Sequence, residues 1–295
     1  MTALTPARVW WSAVRPATLA ASVAPVLAGT AIAVHEGGAR VEAGVLALVV
    51  GVAMQLGVNF ANDYSDHARG ADSADRIGPV RAASSGVVGP SSVRSAAIAA
   101  FTVAAVAGLL LSASTDWRLL IAGAACLLAG WLYTGGPRPY GYLGLGELFV
   151  FVFFGLVATL GTVYVELVRV PPLAILIASS MGGLATAILV LNNLRDIATD
   201  SAAGKRTLAT RIGRGRTRAL LVVLVAAAYA MPVLAPLWGL APVTVLLACL
   251  SIPIAASSLR IALATTSGPG LVGALKRMAV AQLAFSLLFS LGLLL

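Results

Sequence analysis

The chain has 295 residues, of which 59% are hydrophobic and 11% charged, and its formal net charge is +9. A typical soluble domain carries about 25% charged residues, so this composition excludes an ordinary water-soluble domain and indicates a membrane protein. In so apolar a chain, basic residues are better explained by loops held on the cytoplasmic side than by nucleic acid, and no nucleic-acid partner is expected.

Nine apolar stretches are long enough to be spanning helices, because a helix needs about 20 apolar residues to cross a bilayer. In chain order they are 17–34, 41–62, 95–113, 118–135, 143–165, 172–193, 218–236, 242–260 and 274–294. The first stretch is followed by the others and is therefore not a cleaved signal peptide. The predicted fold is an all-α, single-domain bundle of about nine transmembrane helices.

Lysine and arginine are unevenly distributed between the segments that connect these helices. With the amino terminus placed in the cytoplasm, all but three of the 20 basic residues fall on the cytoplasmic side; the exceptions are Arg40, Arg118 and Arg169. Positive residues are retained on the cytoplasmic side of membranes. The pattern therefore predicts a multi-pass protein of the cell membrane with a cytoplasmic amino terminus and an external carboxyl terminus.

Two predicted connections are longer than the rest, and both begin with acidic residues. The connections after the second and sixth spans run to roughly 25–30 residues, a length that is often functional. Six of the eleven acidic residues lie in them: Asp63, Asp66, Asp72, Asp75, Asp196 and Asp200. Because this polar signature returns four helices later, the sequence is consistent with an internal repeat of helices 1–4 and 5–8, followed by helix 9.

The spacing of these acids places each pair on one face of a helix end. Asp63 and Asp66 are separated by i, i+3, and Asp196 and Asp200 by i, i+4. Like charges so close repel each other, and a carboxylate near a helix C-terminus opposes the helix dipole, so a bound cation is expected. Carboxylate oxygens suit Mg²⁺, which takes one or two carboxylates and completes its shell with water and phosphate.

Amide and basic side chains surround the two acidic clusters. Gln55, Asn59 and Asn62 extend the polar face back into the second span, where uncompensated polar groups are costly. The residues suited to bind a diphosphate are Arg76, Arg81, Arg138, Arg195, Lys205 and Arg206. A metal, a diphosphate and an apolar interior together indicate an enzyme that ionises a lipid diphosphate. Asp75 is equally well explained as a solvated loop acid.

The acidic clusters resemble the motifs of the UbiA superfamily of intramembrane prenyltransferases. That superfamily carries Asn-Asp-x-x-Asp-x-x-x-Asp after its second helix and Asp-x-x-x-Asp after its sixth. The second motif matches here at Asp196 and Asp200, whereas Gly70 replaces the last aspartate of the first motif, with Asp72 as the substitute. The resemblance implies a Mg²⁺ site formed by Asp63, Asp66, Asp72, Asp196 and Asp200.

Finer features are similar to one branch, the 1,4-dihydroxy-2-naphthoate polyprenyltransferases of menaquinone biosynthesis. They are Arg76-Ile-Gly-Pro-Val-Arg81, Tyr133-Thr-Gly-Gly-Pro137, Gly144-Leu-Gly-Glu147 and Gly204-Lys-Arg-Thr-Leu208. The resemblance implies transfer of a polyprenyl group from polyprenyl diphosphate to this naphthoate, with decarboxylation, giving demethylmenaquinone and diphosphate. The expected partners are polyprenyl diphosphate, a soluble aromatic acceptor and membrane lipids, and the active site is expected to face the cytoplasm.

The resemblance also implies roles for single residues. The expected catalytic residues are Asp63, Asp66, Asp196, Asp200 and Lys205, with Lys205 stabilising the leaving diphosphate. The expected substrate-binding residues are Asn59, Asn62, Asp72, Arg76, Arg81, Tyr133, Arg138, Glu147, Asn192, Asn193 and Arg206. Among these, Glu147 is expected to position the acceptor, whereas a role as an interfacial anchor explains Tyr133 nearly as well.

Other classes of protein fit the residues less well. A cation-coupled transporter also places acids within the membrane, but near the midplane of broken helices and not at helix ends beside basic segments. A membrane CDP-alcohol phosphotransferase would condense its acids into one motif, which this sequence lacks. Within the superfamily, relatives that use 4-hydroxybenzoate or homogentisate, or that farnesylate haem, are alternative acceptor classes.

Overall fold

The structure, a computed structural model, describes residues 5–70 and 80–295 and contains no strand in these ranges. The helices are α1 (Pro6–Val14), α2 (Pro16–His35), α3 (Val41–Ala68), α4 (Pro90–Ser114), α5 (Leu119–Leu132), α6 (Gly146–Val150), α7 (Ala158–Leu167), α8 (Pro172–Ala202), α9 (Leu208–Leu237), α10 (Ile252–Ala264) and α11 (Gly268–Leu294). A π-helical segment, Phe151–Val157, joins α6 to α7 without a break, and a 3₁₀ segment, Val243–Ser251, leads into α10.

The predicted all-α membrane bundle is confirmed. Over the described ranges, eight helices are long and apolar enough to cross a membrane. The predicted span 118–135 corresponds to α5, an apolar helix of only 14 residues. At about 1.5 Å per residue it measures about 21 Å, which is less than the hydrocarbon thickness of about 30 Å. The nine predicted stretches therefore give eight long helices and one short one.

The predicted long connection after the sixth span is wrong. Helix α8 continues to Ala202 and α9 begins at Leu208, so only residues 203–207 separate them. Helix α9 is kinked at Gly213, whose backbone is not helical (φ 77°, ψ 168°). Hydropathy measures the part of a helix that lies in lipid, and it does not detect a polar continuation rich in the helix formers Ala, Leu and Arg. Thr207 caps α9, because its side chain accepts a hydrogen bond from the Thr210 N–H at 3.3 Å. The second acidic motif is therefore held on a helix.

Helix α8 lies at the centre of the bundle. Its side chains Leu184, Leu191 and Leu194 are fully buried, and α2, α9 and α11 pack around it. A glycine contact brings the α6–α7 helix close on a further side, because a side chain at Gly155 would lie 2.3 Å from the Cα of Gly182. This contact leaves no space for any side chain, so it fixes the distance between the two helices.

One end of the bundle, the motif end, carries both acidic motifs. Its parts are the end of α3, segment 80–85, segment 133–145 and the end of α8 with residues 203–207. Hydrogen bonds join these parts to each other and to α1. The Ser12 hydroxyl donates to the Val80 carbonyl at 3.0 Å, and the Arg206 N–H donates to the Tyr142 carbonyl at 3.0 Å. Residues distant in sequence therefore meet here.

The opposite end, the distal end, holds residues 36–40, 114–118 and 164–169. The Arg40 guanidinium donates to the Ser114 carbonyl at 3.1 Å, and the Tyr164 hydroxyl donates to the Asp116 carboxylate at 2.8 Å. The backbone N–H of Arg118 and, next to it, the Tyr164 hydroxyl hold the pKa of the Asp116 carboxyl below its usual range. These bonds hold the ends of α4 and α7 and the start of α5 together at the same depth in the bundle.

Candidate active site

Amide side chains fix the last turns of α3 against their neighbours. The Gln55 amide donates to Asn59 at 3.1 Å, and Asn59 donates to the Thr18 hydroxyl of α2, also at 3.1 Å. One turn further on, Asn62 accepts a bond of 2.6 Å from the Thr134 hydroxyl. The predicted polar face therefore exists, and in this structure it positions α3 against α2 and against the segment that follows α5.

Asp63 points toward the chain that follows the first motif. Its carboxylate accepts hydrogen bonds from the backbone N–H groups of Ala82, at 2.8 Å, and Ala83, at 3.4 Å. It does not line the cavity described below. Asp63 thus anchors segment 80–85 and brings Arg81 over Asp66, and metal binding by Asp63 stays a prediction.

Asp66 is the point where the two motifs meet. It is 3% exposed, and its carboxylate lies 2.8 Å from the Arg81 guanidinium and 3.1 Å from the Lys205 ammonium. The Tyr142 hydroxyl donates a further hydrogen bond to it. The same Lys205 nitrogen lies 3.9 Å from the Asp200 carboxylate on α8. Asp66 and Asp200, four predicted spans apart in the sequence, therefore face each other across one ammonium group.

Tyr142 is a site residue that the sequence analysis missed. Its ring centre lies 4.6 Å from the Lys205 nitrogen and 5.6 Å from the Arg69 guanidinium carbon, within the range of cation–π attraction. Burial, and next to it the Asp66 carboxylate, raise the pKa of its phenol, which stays protonated and able to donate. The only sequence signal was its place in the tyrosine-rich stretch after Pro139, which also fits an interfacial anchor.

The acids of α8 lie one turn apart and have different partners. The Arg195 guanidinium binds Asp196 through two contacts of 2.7 and 2.6 Å, and donates to the Asn192 side-chain oxygen at 2.7 Å. Asp200, at the end of the helix, lies beside Lys205. The second motif therefore presents one carboxylate held by a guanidinium and one held near an ammonium.

Glu147 is part of α6, and its side chain faces α8 behind the wall of the cavity. It is 8% exposed, and its Oε1 accepts a hydrogen bond of 2.9 Å from the Asn193 amide. Among the described residues nothing hydrogen-bonds its buried Oε2. Tyr133 lies close by and lines the cavity, and burial, with a smaller contribution from Glu147, raises the pKa of its phenol.

Aromatic rings form a row from the motif end along α6. The ring centres of Tyr133 and Tyr140 are 5.4 Å apart, Tyr140 stacks on Phe149 at 4.0 Å, and Phe149 lies 5.9 Å from Phe153. The Tyr140 hydroxyl donates to the Ala129 carbonyl at 2.8 Å, which ties the row to α5. These rings give the cavity a rigid apolar wall next to the charged groups.

A large cavity of about 1460 Å³ adjoins most of these groups, although Asp63 and Glu147 do not line it. The side chains at its polar end are Asn59, Asn62, Asp66, Arg81, Tyr133, Tyr142, Asn192, Asn193, Arg195, Asp196, Asp200 and Lys205. Its remaining wall is mostly apolar and comes from α2, α3, α4, α5, the α6–α7 helix, α8 and α11. The cavity thus has two regions: the polar end formed by these side chains, called the charged head, and the apolar remainder, called the apolar body.

Basic groups outnumber acids on this wall. The described lining contains the cations Arg8, Arg15, Arg81, Arg195, Lys205 and Lys276, and the acids Asp66, Asp196 and Asp200. Three positive charges therefore remain after the acids are balanced. Excess positive charge in a low-dielectric pocket attracts an anion, and arginine and lysine are the usual ligands of phosphate groups.

Some predicted site residues lie elsewhere. Arg138, in segment 133–145, and Arg206, in residues 203–207, are both exposed and do not line the cavity. Arg206 contributes its backbone N–H to the Tyr142 carbonyl. Asp72, Asp75 and Arg76 lie outside the described residues. Their predicted roles stay predictions.

The donor set on the cavity wall fits Mg²⁺ together with a diphosphate. No group of three or more acidic, histidine or cysteine side chains within the described ranges forms a ready-made metal cluster. Mg²⁺ needs only one or two carboxylates when phosphate oxygens complete its shell. Asp66 and Asp200 supply carboxylate oxygens on two facing helices, and Asp196 supplies a third next to them.

The chain is similar to known proteins in sequence and in fold. Residues 22–271 match the UbiA prenyltransferase family. Over 219 residues it is 49% identical to 1,4-dihydroxy-2-naphthoate octaprenyltransferase of Mycobacterium tuberculosis, covering 74% of this chain and 75% of that protein. Among solved structures, a UbiA homologue from Aeropyrum pernix K1 superimposes with a TM-score of 0.67 at 15% identity, covering 97% of this chain and 98% of that one.

A second solved structure, a UbiA homologue from Archaeoglobus fulgidus bound to GPP and Mg²⁺, superimposes with a TM-score of 0.60 at 15% identity, covering 95% of this chain and 99% of that one. At this identity the two structures support the fold alone. The family match covers most of the sequence, and acids of both motifs, Asp66, Asp196 and Asp200, line one cavity. The chain is a member of the UbiA prenyltransferase family.

Proposed function

We propose that this protein transfers a polyprenyl group from polyprenyl diphosphate to 1,4-dihydroxy-2-naphthoate, releasing diphosphate and carbon dioxide. The immediate product is the quinol form of demethylmenaquinone, because no oxidant takes part. One observation carries the proposal: a cavity whose charged head contains acids of both motifs, Asp66, Asp196 and Asp200, and whose body is apolar. The Mycobacterium tuberculosis relative, named for this reaction, supports the choice of acceptor.

The charged head would bind the diphosphate. Arg81 and Lys205 now contact Asp66, and Arg195 contacts Asp196. An anionic diphosphate placed between these groups would compete with the carboxylates for the same three cations. As the carbon–oxygen bond breaks, these cations would stabilise the negative charge that grows on the departing oxygen. Mg²⁺, held by Asp66, Asp196 and Asp200, would neutralise the diphosphate and favour loss from the allylic carbon.

The acceptor would bind beside the aromatic row. As the allylic carbon–oxygen bond breaks, the electron-rich naphthoate ring forms the new carbon–carbon bond, and carbon dioxide leaves with its bonding pair retained by the ring. Tyr133 lines this part of the cavity, and Glu147 holds Asn193, which also lines it. Glu147 therefore acts on the acceptor through Asn193 and is a positioning residue.

We also propose that the motif end faces the cytoplasm. Of the basic residues that the structure describes, Arg40, Arg118 and Arg169 lie at the distal end, and the other 16 lie on the side of the motif end. Positive residues are retained in the cytoplasm during insertion, which supports this orientation. Cysteine labelling in sealed vesicles tests it: a cysteine placed at exposed Arg206 should react only with a reagent supplied on the cytoplasmic side.

The decisive experiment is an assay of the purified protein in nanodiscs. Dihydroxynaphthoate and octaprenyl diphosphate are supplied with Mg²⁺, and the prenylated quinol and released diphosphate are measured. Product is expected with Mg²⁺ and none after chelation. In a parallel reaction 4-hydroxybenzoate replaces the naphthoate; prenylation of 4-hydroxybenzoate but not of dihydroxynaphthoate would overturn the acceptor assignment. No product from any prenyl diphosphate would overturn prenyl transfer itself.

A further inference from the structure

The apolar body of the cavity extends far from the charged head. Along α3 its lining runs from Asp66 back to Ala47, a distance of about 28 Å at about 1.5 Å per residue. At the far end the wall includes Leu111, Leu119 and Val165, which come from the distal ends of α4, α5 and α7. The cavity therefore spans nearly the whole hydrocarbon layer of about 30 Å.

Three glycines on this wall face open space. Gly108, Gly123 and Gly161 line the cavity, and a Cβ added at any of them would meet no atom within 4 Å. Some other helical glycines in the bundle are required by packing: a Cβ at Gly57 would lie 2.8 Å from the ring of Phe101. Because glycine is unfavourable in the middle of a helix, three glycines without a packing role leave space for something other than protein.

The three glycines lie at one level of the bundle. Gly108 is about 9 Å from the last residue of α4, Gly123 about 6 Å from the first residue of α5, and Gly161 about 9 Å from the last residue of α7. The Arg40 and Tyr164 hydrogen bonds hold those three helix ends together at the distal end. The three open positions thus surround one cross-section of the cavity, near its far end.

We propose that Gly108, Gly123 and Gly161, the glycine level, determine the longest prenyl chain that the enzyme uses. The inference rests on the proposed function, and the occupant is the isoprenoid tail of the donor. With the diphosphate bound at Lys205 and Arg81, a short tail ends before the glycine level and a long tail passes through it. The absence of three side chains there gives the long tail its space.

The test is a change in donor selectivity. Each glycine is replaced by leucine, and each variant is assayed with geranyl diphosphate and with octaprenyl diphosphate under the same conditions. The ratio of kcat/KM for the long donor to that for the short donor is expected to fall about tenfold or more, because added methylene groups in an apolar pocket discriminate strongly. Gly→Ala variants should show the same direction with a smaller change.

Gly273→Leu is the matched control. Gly273 is also helical and free of contacts within 4 Å, but it does not line the cavity, so its selectivity ratio should equal that of the wild type. If a leucine variant does not fold, its alanine counterpart decides. An unchanged ratio in the folded variants, or equal loss with both donors, overturns the length assignment while wild-type turnover leaves the proposed function standing. A wild type inactive with both donors overturns the proposed function instead.

Discussion

The two ends of the bundle surround a buried carboxylate in different ways. At the motif end, Asp66 contacts two cations, Arg81 and Lys205, and accepts from a phenol. At the distal end, Glu166 is 2% exposed and accepts a 2.6 Å bond from the Thr30 hydroxyl, and the described residues offer its second oxygen no hydrogen bond. Burial of an acid therefore does not by itself mark the active site; the surrounding cations do.

Among the substitutions that test this comparison, removing the charge of Asp66 is expected to lower turnover the most. Asp66→Asn keeps the shape of the side chain but leaves Arg81 and Lys205 without their common partner and removes a proposed metal ligand. Turnover is expected to fall about a hundredfold or more, since single electrostatic groups at reacting centres have effects of this size. Initial rates of diphosphate release measure it, with thermal unfolding as a check on folding.

The control for Asp66→Asn is the substitution of an acid at the distal end. Glu36 forms an ion pair with Arg169 at 2.7 Å, and exposed pairs of this kind contribute about 1 kcal/mol or less. Glu36→Gln should therefore turn over at the wild-type rate. Wild-type turnover in Asp66→Asn would show that the meeting point of the two motifs is not the reacting centre.

Glu147 should give an intermediate effect, because it contacts the cavity only through Asn193. In Glu147→Gln the KM for dihydroxynaphthoate is expected to rise about tenfold, which corresponds to about 1.4 kcal/mol, with the KM for the prenyl diphosphate unchanged. Saturation curves for both substrates measure this split. Equal changes in both constants, or unchanged acceptor saturation, would contradict a role in positioning the acceptor.

Glu166 should give the smallest effect on catalysis. Glu166→Gln retains an oxygen that accepts from Thr30, so turnover should stay within about twofold of wild type and stability should change by about 1 kcal/mol. Turnover and the midpoint of thermal unfolding in detergent are measured together. A large loss of turnover without loss of stability would show that the distal end contributes to the reaction, and the contrast between the two ends would fail.

Composition and hydropathy were sufficient to predict the membrane bundle, because the bilayer requires about 20 apolar residues for each crossing. Composition and hydropathy could not predict how far each helix continues beyond the hydrocarbon layer. The continuation of α8 to Ala202 depends on local helix propensity, and the capped start of α9 depends on Thr207. The shortness of α5 was also hidden, since residues 118–135 are apolar whether or not all of them are helical.

At the site, the sequence predicted the charged residues and missed their neutral partners. Acids spaced three or four residues apart lie on one face of a helix and repel each other. Asp66, Asp196 and Asp200 could therefore be predicted as site residues from the sequence. Tyr142 could not, because its bond to Asp66 depends on how segment 133–145 folds back. The same fold turns Arg138 outward, although its charge and position had suggested a ligand.

The shortness of α5 has a consequence for the surrounding lipid. Trp117 and Trp131, both exposed, lie at its two ends, and tryptophan settles at the boundary between headgroups and hydrocarbon. Two such anchors about 21 Å apart create a hydrophobic mismatch that a bilayer relieves by thinning beside the helix. We therefore expect headgroups and water to lie closer to the bilayer centre beside α5, where a polar aromatic acid and an apolar isoprenoid would have the shortest distance to cover.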